Sequence, residues 1–183
     1  TNVQAADASE YGVIRQTTSA AIAAARISTL GNSGNTPFYG PPAAGSDAWS
    51  VVRLRLFGAL TDVTAWAGLV ESNAAAKIPD GAGLNTASFL GFRAYNTGVA
   101  GNWFGVCRSG TVETTLNLGV AANTAWVKLA WRRTATGVAF YVVAVGGVPV
   151  YVGEITTNLP SATLGYLPGI GIRSGIASAR ALD

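Results

Sequence analysis

Between Asn102 and Arg173 the chain is a succession of short runs rich in β-branched and aromatic residues: NWFGVCRSG, TVETTLNLGV, AWVKLAWRR, GVAFYVVAVGGVPVYVGEI and PGIGIRSG. Gly, Asn or Pro interrupts each run. A spacing of about ten residues between turns is what an antiparallel β-sandwich or jelly roll shows. Upstream the pattern is the same: Val52, Leu54 and Leu56 alternate with Val51, Arg53 and Arg55, the period of a strand with one buried face. Arg53 and Arg55 then share the outward side. The chain is therefore expected to be all-β.

Length supports a single domain, since 183 residues bury roughly 70% of the unfolded surface without disulfides or metal. Residues 1–10 are small and polar and read as an N-terminal arm or linker, with the sandwich over 11–183. The chain begins at Thr1 rather than Met, and no signal-peptide pattern precedes Tyr11. The piece from Ala20 to Ser28 is alanine-rich but lacks a helical face, and it reads as a strand. Two long loops are expected, Gly31 to Ser46 and Glu71 to Ala87. Between them Val63 to Val70 reads as a strand broken at Gly68, and Phe89 to Tyr95 resumes the sheet. The apolar stretch Val138 to Val152 is a hairpin rather than a membrane span, because Gly146-Gly147 stands in its middle. Both faces of Val138 to Val143 are apolar, as in a central strand covered on each side, with a partner subunit one such cover.

Composition bounds function by what it omits. Charged residues make up 11% against 49% hydrophobic, a surface short of charge that suggests assembly or a face of Thr, Ser, Ala and Asn. Twelve basic residues outnumber nine acidic ones, but they are scattered, so the basic stripe of a nucleic-acid binder is missing and no nucleic-acid partner is expected. The lone Cys107 stands in an apolar strand and reads as a small buried hydrophobe.

With no histidine there is no Ser-His-Asp triad, Cys-His dyad or His-based metal site. Glycoside hydrolysis needs two carboxyls roughly 5 to 9.5 Å apart. None of the acids stands two residues from another on one strand; cross-strand pairing of Glu113 is left open. The expectation is no enzyme and no cofactor. The segment Asp80-Gly-Ala-Gly-Leu-Asn85 carries two oxygen side chains among glycines, too few for calcium, and reads as a turn.

Aromatics are the remaining cue. Trp49, Trp66, Trp103, Trp126 and Trp131 could supply a sugar-stacking platform, although buried sandwiches commonly own several tryptophans. On the strand from Trp126 to Arg133, Val127, Leu129 and Trp131 form the core side, while Trp126, Lys128, Ala130 and Arg132 face outward. Candidate glycan or partner contacts are thus Trp126, Lys128 and Arg132, together with Arg53 and Arg55.

The order GVIRQTTSAA, AWSVVRLRL, FLGFRAYNTG, NWFGVCRSGTVETTLNLGV, TAWVKLAWRR, VAFYVVAVGGVPVYVGEITTNLP and PGIGIRSG, over about Tyr11 to Asp183, resembles concanavalin-like jelly-roll domains of structural proteins from tailed bacteriophages. The resemblance implies a non-enzymatic virion protein on the outer surface of capsid or tail. Its first form is a decoration or cement protein binding the assembled shell, with the major capsid protein, other virion proteins and further copies of itself as partners. Its alternative is a tail-fibre or head-fibre module recognising host surface glycan. No membrane partner is implied. The chain lacks the acidic and histidine metal cluster of sugar-binding members of the wider fold.

Overall fold

The computed structural model describes residues 16–17, 25–29, 44–45, 47–58, 62–71, 79–80, 83–84, 88–96, 101–144, 146–174 and 180–182. In chain order the strands are β1 (Gln16–Thr17), β2 (Ala25–Thr29), β3 (Trp49–Leu54), β4 (Leu56–Gly58), β5 (Val63–Glu71), β6 (Pro79–Asp80), β7 (Gly83–Leu84) and β8 (Phe89–Asn96). They continue with β9 (Asn102–Ser109), β10 (Val112–Ala121), β11 (Val127–Arg133), β12 (Val138–Val143), β13 (Pro149–Ile155), β14 (Tyr166–Ser174) and β15 (Arg180–Leu182). Among the described residues there is no helix, and every strand pairing is antiparallel.

Two sheets make the sandwich. One runs β10-β9-β8-β5-β14-β2 and the other β13-β12-β11-β3, with a small β1-β15-β4 sheet and a β6-β7 hairpin beside them. The facing sides alternate as the pleat demands. Ala65, Ala67, Leu90, Phe92, Ala94, Trp103 and Cys107 from the larger sheet meet Leu54, Val127, Leu129, Trp131, Val138, Phe140 and Ile155 from the smaller. Phe92 and Phe140 meet edge to face across this core at 5.8 Å. Phe140 lies so close over Gly105 that a Cβ there would stand 2.5 Å from its ring. Burying a side chain of this size contributes about 1.5–3 kcal/mol.

The alternation in Val51–Leu56 sorts as expected, with Leu54 and Leu56 buried and Val51 and Arg53 exposed. Cys107 is buried, and the β12–β13 hairpin turns at Gly146 and Gly147, both at positive φ. Ala25–Thr29 is a strand on the edge of the larger sheet.

Three expectations need amendment. Gly68 does not break its strand: β5 runs unbroken because Gly68 stands directly opposite Gly91, and a Cβ on Gly68 would lie 2.3 Å from the Leu90 carbonyl oxygen. The stretch after Glu71 is not wholly loop, since Pro79–Asp80 pairs with Gly83–Leu84. β14 begins upstream of the PGIGIRSG run, with Tyr166 and Leu167 paired to Glu71 and Val70. The expected N-terminal arm over 1–10 and most of the loop from Gly31 to Ser46 lie outside the described residues.

Candidate functional site

Residues directly opposite one another in an antiparallel pair project to the same side, so register alone lays out each outer face. On the four-stranded sheet Trp49 pairs with Arg132, Val51 with Ala130 and Arg53 with Lys128. Arg132 in turn pairs with Ala139, Ala130 with Tyr141, Ala139 with Glu154 and Tyr141 with Tyr151. Val52, Leu54, Leu129, Trp131, Phe140 and Val142 take the core side. Every outward residue of the sequence analysis therefore lies on this one face or at its end.

Its centre is aromatic. The Trp49 and Tyr141 rings are 5.0 Å apart, tilted by 34°, and Tyr141 and Tyr151 meet near edge-on at 5.7 Å. Ala130 is fully buried between the β3 and β12 residues of this row, and its small side chain lets the Trp49 ring reach Tyr141 across the intervening strand. Trp49 keeps 46% of its surface exposed and Tyr151 58%, while Val51 at 57% continues the strip. These exposures decide what the strip can do, because large ring faces left in water are unfavourable unless a partner covers them.

Charge frames the strip. At one end Asp47 accepts a hydrogen bond from Arg132 Nε and holds that guanidinium above its ordinary pKa. The same guanidinium lies 5.3 Å from the Trp49 ring centre. At the other end Arg53 and Arg55 set their guanidiniums 4.3 and 4.4 Å from the Trp126 ring centre, and Lys128 stands exposed across from Arg53. The five expected residues thus fall into two groups, Arg53, Arg55, Trp126 and Lys128 at one end and Arg132 at the other. Trp126 is half-buried with its ring already engaged by two cations, so it is no free stacking platform.

Sequence reasoning missed Tyr141 and Tyr151. Tyr141 was present as one of the apolar residues on the second face of its strand, and Tyr151 in the hairpin return, but a β-bulge between Phe140 and Tyr141 sets the register that joins them. Of the five tryptophans, Trp66, Trp103 and Trp131 are buried.

The outer face of the six-stranded sheet is built differently. Trp66, Val70, Phe89 and Val106 form a second, smaller buried cluster with Phe104 against it. Beside it Arg93 Nη1 donates to Glu113 Oε2 at 2.6 Å, and Arg108 Nη1 lies 3.6 Å from the same oxygen. Glu71 follows the outward Val70 and so turns to the other side of β5, where it accepts from the Ser88 amide at 3.0 Å. Glu71 and Glu113 stand three strand spacings apart, about 14 Å between backbones. Among the described residues no group of three or more metal-ligating side chains is present.

No family model matches the chain, and no curated protein does. Solved structures do. A Bacillus licheniformis β-glucanase matches at TM-score 0.53 and 11% identity, covering 92% of this chain and 74% of its own. A β-1,3-1,4-glucanase, a lichenase from a mouse hindgut metagenome, matches at 0.51 and 11%, covering 94% and 78%. A glycosidic hydrolase matches at 0.48 and 16%, and the chain spans only 61% of its length. The two glucanase matches overturn the functional expectation. The virion role, in both its cement and fibre-tip forms, has no support in them, and a non-enzyme was expected where the matched folds are those of glucanases. The sequence argument weighed acids along one strand and left cross-strand pairing of Glu113 open, and the structure sets Glu113 in a partly buried cluster with Arg93 and Arg108. At these identities the likeness shows the fold alone: the chain is an antiparallel β-sandwich of the concanavalin-like jelly-roll kind.

Proposed function

We propose that this is a carbohydrate-active domain that holds a glycan chain against the outer face of its four-stranded sheet. The observation that carries the reading is the exposed, mutually supporting row Trp49, Tyr141 and Tyr151. Sugar rings present apolar C–H faces to aromatic rings and hydroxyls to neighbouring polar groups, and here Arg132, Asp47 and Lys128 flank the row. The rings are tilted by 34° and 67° rather than coplanar, which suits a single twisted chain better than a flat crystalline surface. Affinity electrophoresis through soluble mixed-linkage β-1,3-1,4-glucan, xylan and mannan tests it: retardation by at least one is expected. Migration unchanged in a wide panel of soluble glycans would count against it.

A second reading, hydrolysis, is favoured by Glu113, a carboxylate 18% exposed and charge-paired with Arg93 on the other sheet. Held in place by Arg93, Glu113 suits the nucleophile or stabiliser of a glycosidase; the proton donor would have to come from elsewhere on that face. Release of reducing ends from the bound glycan, abolished in Glu113→Gln, supports this reading; release unaltered by the substitution removes Glu113 from it.

A further inference from the structure

The outer face of the six-stranded sheet buries hydrogen-bond donors that have no acceptor. Arg93 is 7% exposed, and its Nε hydrogen has no partner. Trp66 stands directly opposite Arg93 in the β5–β8 register, projects from the same face, and is wholly buried with its indole N–H also unpartnered. Buried donors without acceptors are rare in folded proteins, because each forfeits its bonds to water. Among the described residues both Arg93 and Arg108 lie against the Glu113 carboxylate. Arg108 spends its Nε on the Gly110 carbonyl at 2.8 Å, so the donor left over belongs to Arg93. The two donors are closed to solvent, and only the Glu113 end of the cluster is partly open, 18% exposed. Glu113 lies on β10, the edge strand, where Thr115 and Asn117 on the same side are exposed.

We propose that Arg93 is the seat of a small oxyanion, a carboxylate or sulfate, that accepts from its Nε and occupies the place beside Glu113. The site is separate from the aromatic row, on the opposite face of the sandwich, and does not depend on glycan binding there. A fixed guanidinium favours such a ligand because its planar fork matches a carboxylate or sulfate, and a partly buried position strengthens the pairing over its value in water. The anion could be free or the acid group of a uronic sugar, and the chemistry recognised is the same.

Thermal unfolding of the full chain tests this at constant ionic strength, with chloride replaced by acetate, sulfate or glucuronate and with neutral glucose as control. The expected result is a saturable rise in Tm of about 3 °C once the oxyanion stands roughly tenfold above its Kd. The rise is absent with glucose. Equal shifts from acetate and glucuronate assign the site to a free anion, and a larger shift from glucuronate assigns it to an acidic sugar. Arg93→Lys keeps the charge facing Glu113 but removes the Nε donor, so it should fold and lose the shift. Glu113→Gln empties the competing carboxylate and should enlarge the response to acetate. No shift in the wild-type protein, or a shift kept in full by Arg93→Lys, overturns the proposal; the latter leaves an adventitious ion only.

Discussion

At the scale of single residues, the outer face of the smaller sheet owes its character to a few side chains that register places and sequence spacing hides. Trp49 is the most exposed tryptophan of the described chain and the one whose ring both Tyr141 and Arg132 support. Trp49→Ala should leave the fold intact and weaken glycan binding by at least about tenfold, the range in which truncated aromatic anchors fall, as titration calorimetry would read. Cys107 behaves oppositely, as a group withdrawn from chemistry. Burial pushes its thiol up to about 12, with Arg133 opposing only in part. It should resist alkylation at neutral pH until the protein unfolds. The linkage has a sign: a thiol whose pKa is raised on folding favours the folded state fully below the unfolded value of 9.0, and that contribution is lost as pH rises from there towards 12. Unfolding free energy measured by denaturant titration should therefore fall between pH 9 and pH 11, and Cys107→Ala should flatten that fall.

Elements show where the sequence spoke clearly and where it did not. The alternation in Val51–Leu56 and the glycine pair of the Val138–Val152 hairpin were readable because each follows from the two-residue period or from a turn requirement local to the chain. Gly68 was misread because its meaning is not local: it lies opposite Gly91, where the two backbones come too close for any Cβ. Gly68→Ala should destabilise by about 1–3 kcal/mol or more, since the obstructing atoms are backbone of the adjacent strand and have nowhere to go. Gly171 plays a related part on β14, where a Cβ would stand 2.5 Å from the Trp66 indole, so Gly171→Ala should displace that ring and disturb the smaller buried cluster. Intrinsic tryptophan fluorescence of Gly171→Ala, shifted to the red against the wild type, would register it. The candidate face was half legible for the same reason: the outward side of the Trp126–Arg133 segment came from alternation alone, but joining it to Trp49, Tyr141 and Tyr151 required knowing that β3 and β12 flank β11 and that a bulge precedes Tyr141.

For the molecule as a whole, the sandwich uses its two outer faces unequally. One carries a buried aromatic cluster and an arginine–glutamate group, while the other leaves its aromatics in water. The resemblance in strand order implies a virion shell and the matched folds are those of glucanases; a shared jelly roll underlies both, so fold alone decides no role. The exposed row on the smaller sheet carries the proposed glycan reading, and binding there can be measured directly. Titration calorimetry of the intact protein with the soluble glycan that most retards it in a gel, repeated with Trp49→Ala combined with Tyr151→Ala, is the decisive measurement. The account predicts saturable binding by the wild type and its loss in a double variant that keeps the wild-type Tm. Undiminished affinity in that folded variant would contradict the assignment of the glycan to this face.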